Sequence, residues 1–357
     1  MDKENQTVVA EFVFLHFTCI PNLETLLFVL FLIIYILSLM GNLLIIVIVM
    51  VDSRLQTAMY FFICNLSMVE VWYTTVTVPK MLENLLSYKR TISIPGCITQ
   101  YYFFFAFAGI ELFILTAMAY DRYLAICNPL RYSTIMNPKT CRNMVVACWF
   151  VGFICPTFPS FMLANISFCS PNIINHFFCD AGQILRLACT DTYAIQVVGY
   201  GFSTVIVMVA LSFTLGSYVH IIITILKMSS AMARKKTFST CASHLCVVTI
   251  YFGTLIFMYV RPAVKYTSSA NKIVAVFYSV ITPLLNPMIY TLRNKDVKEA
   301  LKKTFLRNKD PFQTQIGRME HLETGNMFYI VLVIATTVAP VIFKDGTKAV
   351  ELIKILK

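Results

Sequence analysis

The chain has 357 residues, of which 58% are hydrophobic and only 13% are charged. A soluble domain carries about 25% charged residues, so this composition excludes an ordinary soluble protein and indicates one that crosses a membrane several times. The net charge of +11 does not indicate nucleic-acid binding, because the basic residues lie in short gaps between apolar stretches.

A membrane-spanning helix needs about 20 apolar residues. The segment before Leu23 is polar or mixed and lacks the basic run that begins a cleavable signal peptide, so the first span is expected to act as its own insertion signal. Seven stretches are long and apolar enough, and we number them as the first to seventh span: 24–50, 57–82, 98–127, 142–163, 195–226, 237–260 and 273–292.

The basic residues predict the orientation of the chain. They concentrate after the first, third, fifth and seventh spans, and the positive-inside rule places such segments in the cytoplasm. The N-terminus is therefore expected outside the cell. Asn5-Gln6-Thr7 is a glycosylation sequon in this outer tail, which agrees with that orientation.

Four of the twelve cysteines fall in predicted outer segments. Cys97 begins the third span, and Cys169, Cys179 and Cys189 lie between the fourth and fifth spans. Four cysteines in an oxidising compartment allow three pairings, which the spacing leaves open. The other eight are expected to be small buried hydrophobic residues.

Charged residues at or inside the spans are the candidate functional residues. Asp121-Arg122 lies in the run MAYDRYLAIC (118–127), and Glu70 and Glu111 lie deep in the second and third spans. Such charges are costly unless they face a protein interior or an aqueous opening. Asp121-Arg122 is placed where a conformational switch read from inside the cell would lie, with a simple interfacial ion pair as the alternative.

Several ordered motifs resemble one family over roughly residues 5–306. They are Gly41-Asn42, LQTAMYFFICNLS (55–67), MAYDRYLAICNPLRY (118–132), Ser217-Tyr218, KKTFSTCASHL (235–245) and PLLNPMIYTLRNKDVKEAL (283–301). The chain resembles the odorant receptors of the tetrapod-type group, within the rhodopsin-like (class A) G-protein-coupled receptors. The resemblance implies an all-α membrane protein, a seven-transmembrane helix bundle with a short amphipathic eighth helix.

The resemblance also implies two disulfides and a switch. Cys97 would pair with Cys179 and Cys169 with Cys189, with Cys97–Cys189 as the alternative. Arg122 would be held by Asp121 at rest and released toward Tyr218 on activation. The residues implied in switching and G-protein coupling are Asp121, Arg122, Tyr123, Tyr218, His244, Asn286, Pro287 and Tyr290.

An ion site is implied at Glu70, Glu111 and Asn286. Two buried acids cannot both stay ionised without a counter-charge, so either one of them is protonated or a sodium ion lies between them, and a neutral hydrogen-bonded pair with a purely structural role is the alternative. The family usually has Asp where this chain has Glu70. No other cofactor and no other metal are expected.

The ligand site implied by the resemblance lies in the outer half of the bundle and is mostly apolar. Its predicted residues are Phe104, Phe105, Ala108, Gly109, Phe202, Ile206, Leu255, Tyr259 and Ser279, each of which could instead serve helix packing. Such a lining suits a small volatile odorant held by shape. The implied partners are a heterotrimeric G protein of the stimulatory or olfactory type, acting through cyclic AMP, and the lipid bilayer of the plasma membrane.

The remaining alternatives concern domain organisation and class. We expect an extracellular tail at 1–22, a receptor core at 23–292, an amphipathic membrane-surface helix at 293–306 and an atypical extension at 307–357. Its apolar segment 327–343 could form an eighth span or belong to an aberrant tail.

No GxSxG, HExxH or phosphate-binding loop indicates an enzyme. A transporter is disfavoured because no internal repeat is visible, and a membrane protein that does not signal is disfavoured by the intact Asp121-Arg122-Tyr123.

Overall fold

The computed structural model describes residues 10–17, 21–260, 268–293 and 297–301. Within them, seven helical segments are long and apolar enough to cross a membrane, which confirms the seven predicted spans. These segments are Leu23–Val51, Ala58–Leu86, Ile94–Cys127, Pro138–Ala164, Tyr193–Lys227, Cys241–Met258 and Lys272–Tyr290.

The helices are α1 (Pro21–Val51), α2 (Ala58–Leu86), α3 (Ile94–Cys127), α4 (Pro129–Ile135), α5 (Pro138–Ile154), α6 (Thr157–Ala164), α7 (Ala181–Leu185), α8 (Tyr193–Lys227), α9 (Ala231–Leu255), α10 (Ser268–Val276) and α11 (Thr282–Arg293). A 3₁₀ turn covers Ser53–Leu55, and π turns at Ile256–Val260 and Phe277–Ile281 extend the sixth span and join the two helices of the seventh. The strands are β1 (Glu11–Phe14), β2 (Thr91–Ser93) and β3 (Ile173–Ile174).

Local capping sets where several helices begin. The Ser93 side chain accepts a hydrogen bond from the Gly96 amide at the start of α3, and Asn137 accepts one from the Thr140 amide at the start of α5. Both helices also carry proline in the first turn, where the missing N–H leaves no intrahelical bond unmade.

The third span lies at the centre of the bundle and packs against α2, α5 and α8. Its approach to α5 is close because Gly152 has no side chain. A Cβ at Gly152 would lie 2.3 Å from Ile110 Cγ1 and 2.9 Å from the Ile110 nitrogen. Gly41 similarly lets the seventh span approach the first, since a Cβ there would lie 3.2 Å from Pro287 Cβ.

A small sheet closes one end of the bundle, in the strand order β2-β1-β3. Strand β1 pairs antiparallel with β2, where Phe12 lies opposite Ile92, and parallel with β3, where Val13 lies opposite Ile173. The sheet and residues 165–192 form the lid. We call the end of the bundle under the lid the disulfide end and the opposite end the Arg122 end. No pattern in the sequence predicts this sheet.

Some predictions concern residues outside the described ranges. The sequon at Asn5 and the extension 307–357 lie there, as does most of the expected amphipathic helix at 293–306. Residues 297–301 of that helix are described and are helical, with Val297 and Ala300 buried against the bundle.

Candidate functional site

The first disulfide fixes the lid to the third span. Cys97 is bonded to Cys179 with the two Cα atoms 5.5 Å apart, and both residues are fully buried. Gln100, one helical turn further, accepts a hydrogen bond from the Cys179 amide (3.0 Å) and donates one to the Val76 carbonyl (3.0 Å). One buried side chain therefore connects the lid, α3 and α2.

The second disulfide lies within the lid. Cys169 is bonded to Cys189, with their Cα atoms 5.2 Å apart. Around it the Cys169 amide donates to the Leu187 carbonyl at 3.0 Å, and the Cys189 amide donates to the Ser167 carbonyl at 2.9 Å. The structure thus has the pairing implied by the family resemblance and not the alternative Cys97–Cys189.

Aromatic rings connect the lid to the bundle below it. Phe104 is fully buried, and its ring centroid lies 4.6 Å from that of Phe178 in the lid, 4.8 Å from Tyr73 and 6.0 Å from Tyr278. Phe105 packs beside it at 5.3 Å. This part of the bundle is therefore apolar and aromatic, as the sequence predicts for the ligand site.

The nine predicted ligand residues do not share one environment. Phe104, Leu255 and Ser279 are buried, Phe105, Ala108, Gly109 and Ile206 are half-buried, Phe202 is 45% exposed, and the side chain of Tyr259 lies outside the described residues. Gly109 faces the fourth span, because a Cβ there would lie 3.6 Å from Gly152 Cα. For Gly109 the structure shows helix packing.

Two residues near this region make bonds that sequence patterns do not reveal. The Tyr251 hydroxyl donates to the Ala108 carbonyl at 2.5 Å, which joins α9 to α3. The Ser279 hydroxyl donates to the Ala275 carbonyl of its own helix at 2.6 Å. Two small cavities of the structure lie elsewhere, and neither is lined by a predicted ligand residue.

The predicted ion-site residues meet in the middle of the bundle. Glu70 and Glu111 are each 1% exposed, and the Asn286 amide donates a hydrogen bond to Glu70 Oε1. In the described part of the chain Glu111 Oε1 has no hydrogen-bond partner. Nearby, the Asn42 amide donates to the Pro283 carbonyl at 3.1 Å, which holds the seventh span against the first.

This cluster has the donor set of a small hard cation. Carboxylate and amide oxygens are the ligands that such cations take in proteins. No group of three or more His, Cys, Asp or Glu side chains arranged for a metal occurs among the described residues. Two buried carboxyls and one amide are groups that could hold a small cation or share a proton.

The Arg122 end corrects one expectation. Within the described ranges no ion pair joins Asp121 to Arg122. Asp121 Oδ1 instead accepts a hydrogen bond from the Tyr132 hydroxyl in α4 at 2.8 Å. Burial, and after it the negative charge of Asp121, raise the pKa of Tyr132, so the phenol stays protonated and keeps donating. Neighbours in a helix point in different directions, which lets α4 supply the partner.

Arg122 lies beside a second hydrogen-bonded pair, which joins a hydroxyl to an imidazole. The Tyr218 hydroxyl and His244 Nδ1 are 2.6 Å apart, their rings are stacked, and both side chains are buried. This pair joins α8 to α9. Among the described residues the Arg122 Nε atom and the Tyr290 hydroxyl are buried without a hydrogen-bond partner.

The other predicted switch residues lie around this pair. The Tyr123 ring lies 5.7 Å from that of His220. Pro287 lies inside α11, and Tyr290 lines a small cavity with Ile45 and Val297. The Arg122 end therefore gathers side chains that can exchange partners without breaking a covalent bond.

Three contacts of the bundle and its two ends were not predicted from the sequence. Tyr132 as the partner of Asp121 and Tyr251 as a donor to Ala108 have no sequence signal that sets their partner. The third is a buried ion pair, in which Arg90 donates to both Glu24 oxygens at 2.8 and 2.7 Å. A carboxylate at the start of an apolar span was the signal for that pair, because it requires a cation nearby.

The seven-span bundle, the disulfide between the third span and the lid, and the Arg122 cluster define a G-protein-coupled receptor. A sequence model described as olfactory receptor matches residues 31–308. The chain belongs to the olfactory receptor family, and it is a receptor and not an enzyme.

Individual olfactory receptors are similar over nearly their whole length. Olfactory receptor 11L1 of Homo sapiens is 47% identical over 307 residues, which cover 86% of this chain and 95% of that receptor. Olfactory receptor 6N1 of Homo sapiens is 46% identical over 307 residues, covering 86% and 98%. Olfactory receptor 5AR1 of Mus musculus is 44% identical over 309 residues, covering 85% and 98%.

Proposed function

We propose that this receptor binds a small volatile odorant between its spans at the disulfide end and activates a stimulatory-type G protein at the Arg122 end, which raises cyclic AMP. The observation that carries the proposal is the state of Arg122. Its guanidinium forms no ion pair with a carboxylate of the described residues, and its charge acts on the Tyr218–His244 pair. Once the Tyr218–His244 hydrogen bond breaks, the positive charge of Arg122 can interact with Tyr218 and with the G protein.

The odorant site is proposed at the aromatic surface beneath the lid. Phe104 and Phe105 on α3, with Leu255 on α9, supply apolar surface, and Ala108 lies at its base. Ile206 and Phe202 on α8, Tyr259 and Ser279 complete the proposed set. Ligand binding there would change the packing between α3 and α9, which the Tyr251–Ala108 bond now joins.

The switch is proposed to be an equilibrium between two packings of the Arg122 end. In the described state Tyr132 holds Asp121, and Tyr218 holds His244. An odorant that favours the other packing shifts the population toward it. Tyr218 then turns to Arg122, Tyr290 rotates inward about the Asn286-Pro287 turn, and Tyr123 borders the opened G-protein site.

A sodium ion between Glu70 and Glu111 is proposed to favour the resting state. The unpartnered Glu111 oxygen and the Asn286 amide support this, because a cation would balance two carboxyl groups held in one buried cluster. The longer side chain of Glu, compared with the usual Asp, still brings Glu70 within hydrogen-bonding reach of Asn286.

The receptor is proposed to lie in the plasma membrane with its N-terminus outside. The concentration of Lys and Arg after the odd-numbered spans supports this orientation, and Asn5 would then be glycosylated. Residues 293–306 are proposed as a membrane-surface helix, flanked by the tail 1–22, the core 23–292 and the extension 307–357.

The experiment is cyclic AMP measurement in cells expressing the full chain, exposed to a panel of volatile compounds. Surface display is checked with an N-terminal tag on intact cells, and Arg122→Ala is the signalling-dead control. A response in the wild type that is lost in Arg122→Ala at equal surface display is expected. Equal cyclic AMP responses in the wild type and in Arg122→Ala would overturn the coupling proposal. So would a wild type that is well displayed at the surface and gives no cyclic AMP response to any compound.

A further inference from the structure

Charged residues are distributed unevenly around the Arg122 end. On the side of α1, Arg54 lies 2.8 Å from a carboxylate oxygen of Asp52 and 3.7 Å from one of Glu299. The side formed by α4, the start of α5 and the end of α8 is different, because the stretches 122–151 and 193–260 contain no Asp and no Glu. These two stretches contribute only positive charges.

The acid that directly precedes the first of these stretches does not neutralise this side. Asp121 is 1% exposed and accepts a hydrogen bond from Tyr132. Membrane insertion explains the Lys and Arg of cytoplasmic segments, but it does not exclude carboxylates from them, because Asp and Glu contribute little to orientation. A side with several exposed cations and no exposed carboxylate therefore indicates an anionic partner.

Four of the exposed cations form what we call the basic corner, namely Arg131, Lys139, Arg142 and Lys227. Arg131 lies on α4, whose last residue precedes the first residue of α5 by only three positions. Lys139 and Arg142 lie three positions apart at the start of α5, so they share one face of that helix. Three of the four cations therefore lie on short, directly connected segments.

A contact between α3 and α8 brings Lys227 to this corner. Cys127 ends α3 two positions before α4 begins, and its Sγ atom lies 3.1 Å from Thr224 Oγ1 on α8. Lys227 lies three positions after Thr224, on the same face and in the last turn of α8. The long side chain of Lys227 can therefore reach the surface beside α4.

Exposed apolar side chains continue from the basic corner along the spans. Val146 and Phe150 follow Arg142 in steps of four residues on α5, which keeps them on one face, and they are 54% and 66% exposed. Leu226, next to Lys227 on α8, is 68% exposed. In a bilayer such side chains contact acyl chains, while the cations lie at the level of the headgroups. This surface matches a molecule with an anionic head and apolar chains.

We propose that the basic corner binds one phosphoinositide, a membrane lipid whose inositol ring carries phosphate groups beyond the phosphodiester. The cations donate hydrogen bonds to the phosphate oxygens, and the guanidinium groups of Arg131 and Arg142 are suited to two-point contacts. The acyl chains lie against Val146 and Phe150. Several cations without an exposed carboxylate match a headgroup with several negative charges, whereas phosphatidylserine offers a single net charge.

The test is a lipid titration of the purified full-length receptor in detergent, without a G protein. Native mass spectrometry measures the fraction of receptor that carries one lipid, which gives the dissociation constant. The probes are phosphatidylinositol bisphosphate, phosphatidylserine with the same acyl chains, and free inositol trisphosphate, which has the phosphates but no chains. The bisphosphate lipid is expected to bind about tenfold more tightly than either of the other two.

Two double variants locate the site. Arg131→Gln with Lys139→Gln is expected to raise the dissociation constant of the bisphosphate lipid roughly 25-fold, since each cation near a headgroup contributes about fivefold. Lys89→Gln with Lys298→Gln removes the same charge elsewhere, after α2 and in the segment 297–301, and is expected to leave the constant nearly unchanged. All four side chains are exposed, so both variants are expected to fold as the wild type does.

The proposal is overturned if phosphatidylserine or free inositol trisphosphate binds as tightly as the bisphosphate lipid. It is also overturned if the two double variants weaken binding equally, which would mean that net charge alone attracts the lipid. A third contradiction would be unchanged binding in Arg131→Gln with Lys139→Gln. Neither an odorant nor a G protein enters the measurement, so failure here leaves the proposed odorant receptor function standing.

Discussion

The two ends of the bundle are held together by different kinds of bond. At the disulfide end, the Cys97–Cys179 disulfide, a three-stranded sheet and the buried Glu24–Arg90 pair connect the lid and the loops to the spans, and a second disulfide lies within the lid. At the Arg122 end, single hydrogen bonds of tyrosine hydroxyls join Tyr132 to Asp121 and Tyr218 to His244. One end is built to keep its shape, while the other can change it at the cost of a few hydrogen bonds.

The largest expected effect is at the first disulfide. Cys97→Ser opens a link between residues 82 positions apart, and loss of such a bond costs about 2–5 kcal/mol. We expect most of the receptor to be lost from the cell surface, measured with an N-terminal tag on intact cells. Cys246→Ser, at an exposed free cysteine, is the control and should leave display unchanged. Normal display of Cys97→Ser would show that the lid does not depend on this bond.

The buried ion pair should give the next largest effect. Arg90→Met removes two hydrogen bonds from the buried Glu24 carboxylate and leaves it the contact with His16 at 3.2 Å, which costs up to about 3–5 kcal/mol. We expect a lower unfolding midpoint for the purified receptor, largely restored in the double variant Glu24→Leu with Arg90→Met. Lys139→Met, which removes an exposed cation, is the control and should change little. A double variant no more stable than Arg90→Met would argue against the ion-pair explanation.

The stability of the folded lid is expected to depend on pH through Asp180, and the direction of this dependence can be predicted. Burial raises the pKa of Asp180 to about 6, although the Gly182 and Gln183 amides and the charge of Arg186 oppose the shift. Because the folded state binds the proton more tightly than the unfolded state, Asp180 contributes most to stability below about pH 4, and this contribution is lost as the pH rises to about 6.

Asp180→Asn removes this titration and keeps a side chain able to cap α7. The unfolding midpoint of the wild type, measured relative to this variant, is expected to fall between pH 4 and pH 7. A difference that is constant or that rises with pH would contradict the assignment.

The smallest change in free energy is expected for a variant at the Arg122 end, where it alters the equilibrium between the resting and active states and so the basal signal. His244→Phe keeps a ring to stack on Tyr218 but removes the nitrogen that bonds its hydroxyl, a loss of about 1 kcal/mol. Basal cyclic AMP should rise roughly fivefold at equal surface display. His220→Phe, at an exposed ring, is the control. Unchanged basal signal in His244→Phe would mean that this pair does not hold the resting state.

The sequence predicted the spans well because twenty apolar residues in a row have few alternatives to crossing a membrane. Ordered motifs supplied the family, and through it the disulfide pairing. The sheet was not predictable, since β1 has four residues and its partners lie about 80 and 160 positions away. The hydrogen-bond partner of Asp121 was predicted wrongly, because it is Tyr132 in another helix. The exposure of Phe202 was not predictable, because it depends on how α8 is rotated about its axis.

The contrast between the two ends is tested most directly by pulsed electron spin resonance distances in the full-length receptor, with and without a nucleotide-free stimulatory-type G protein. One label pair, at exposed Leu130 and Met232, spans the Arg122 end, and another, at exposed Tyr88 and Tyr193, spans the disulfide end. The account predicts that the first distance lengthens by several ångströms while the second stays the same. A first distance that does not change, or a second that changes as much, would contradict it.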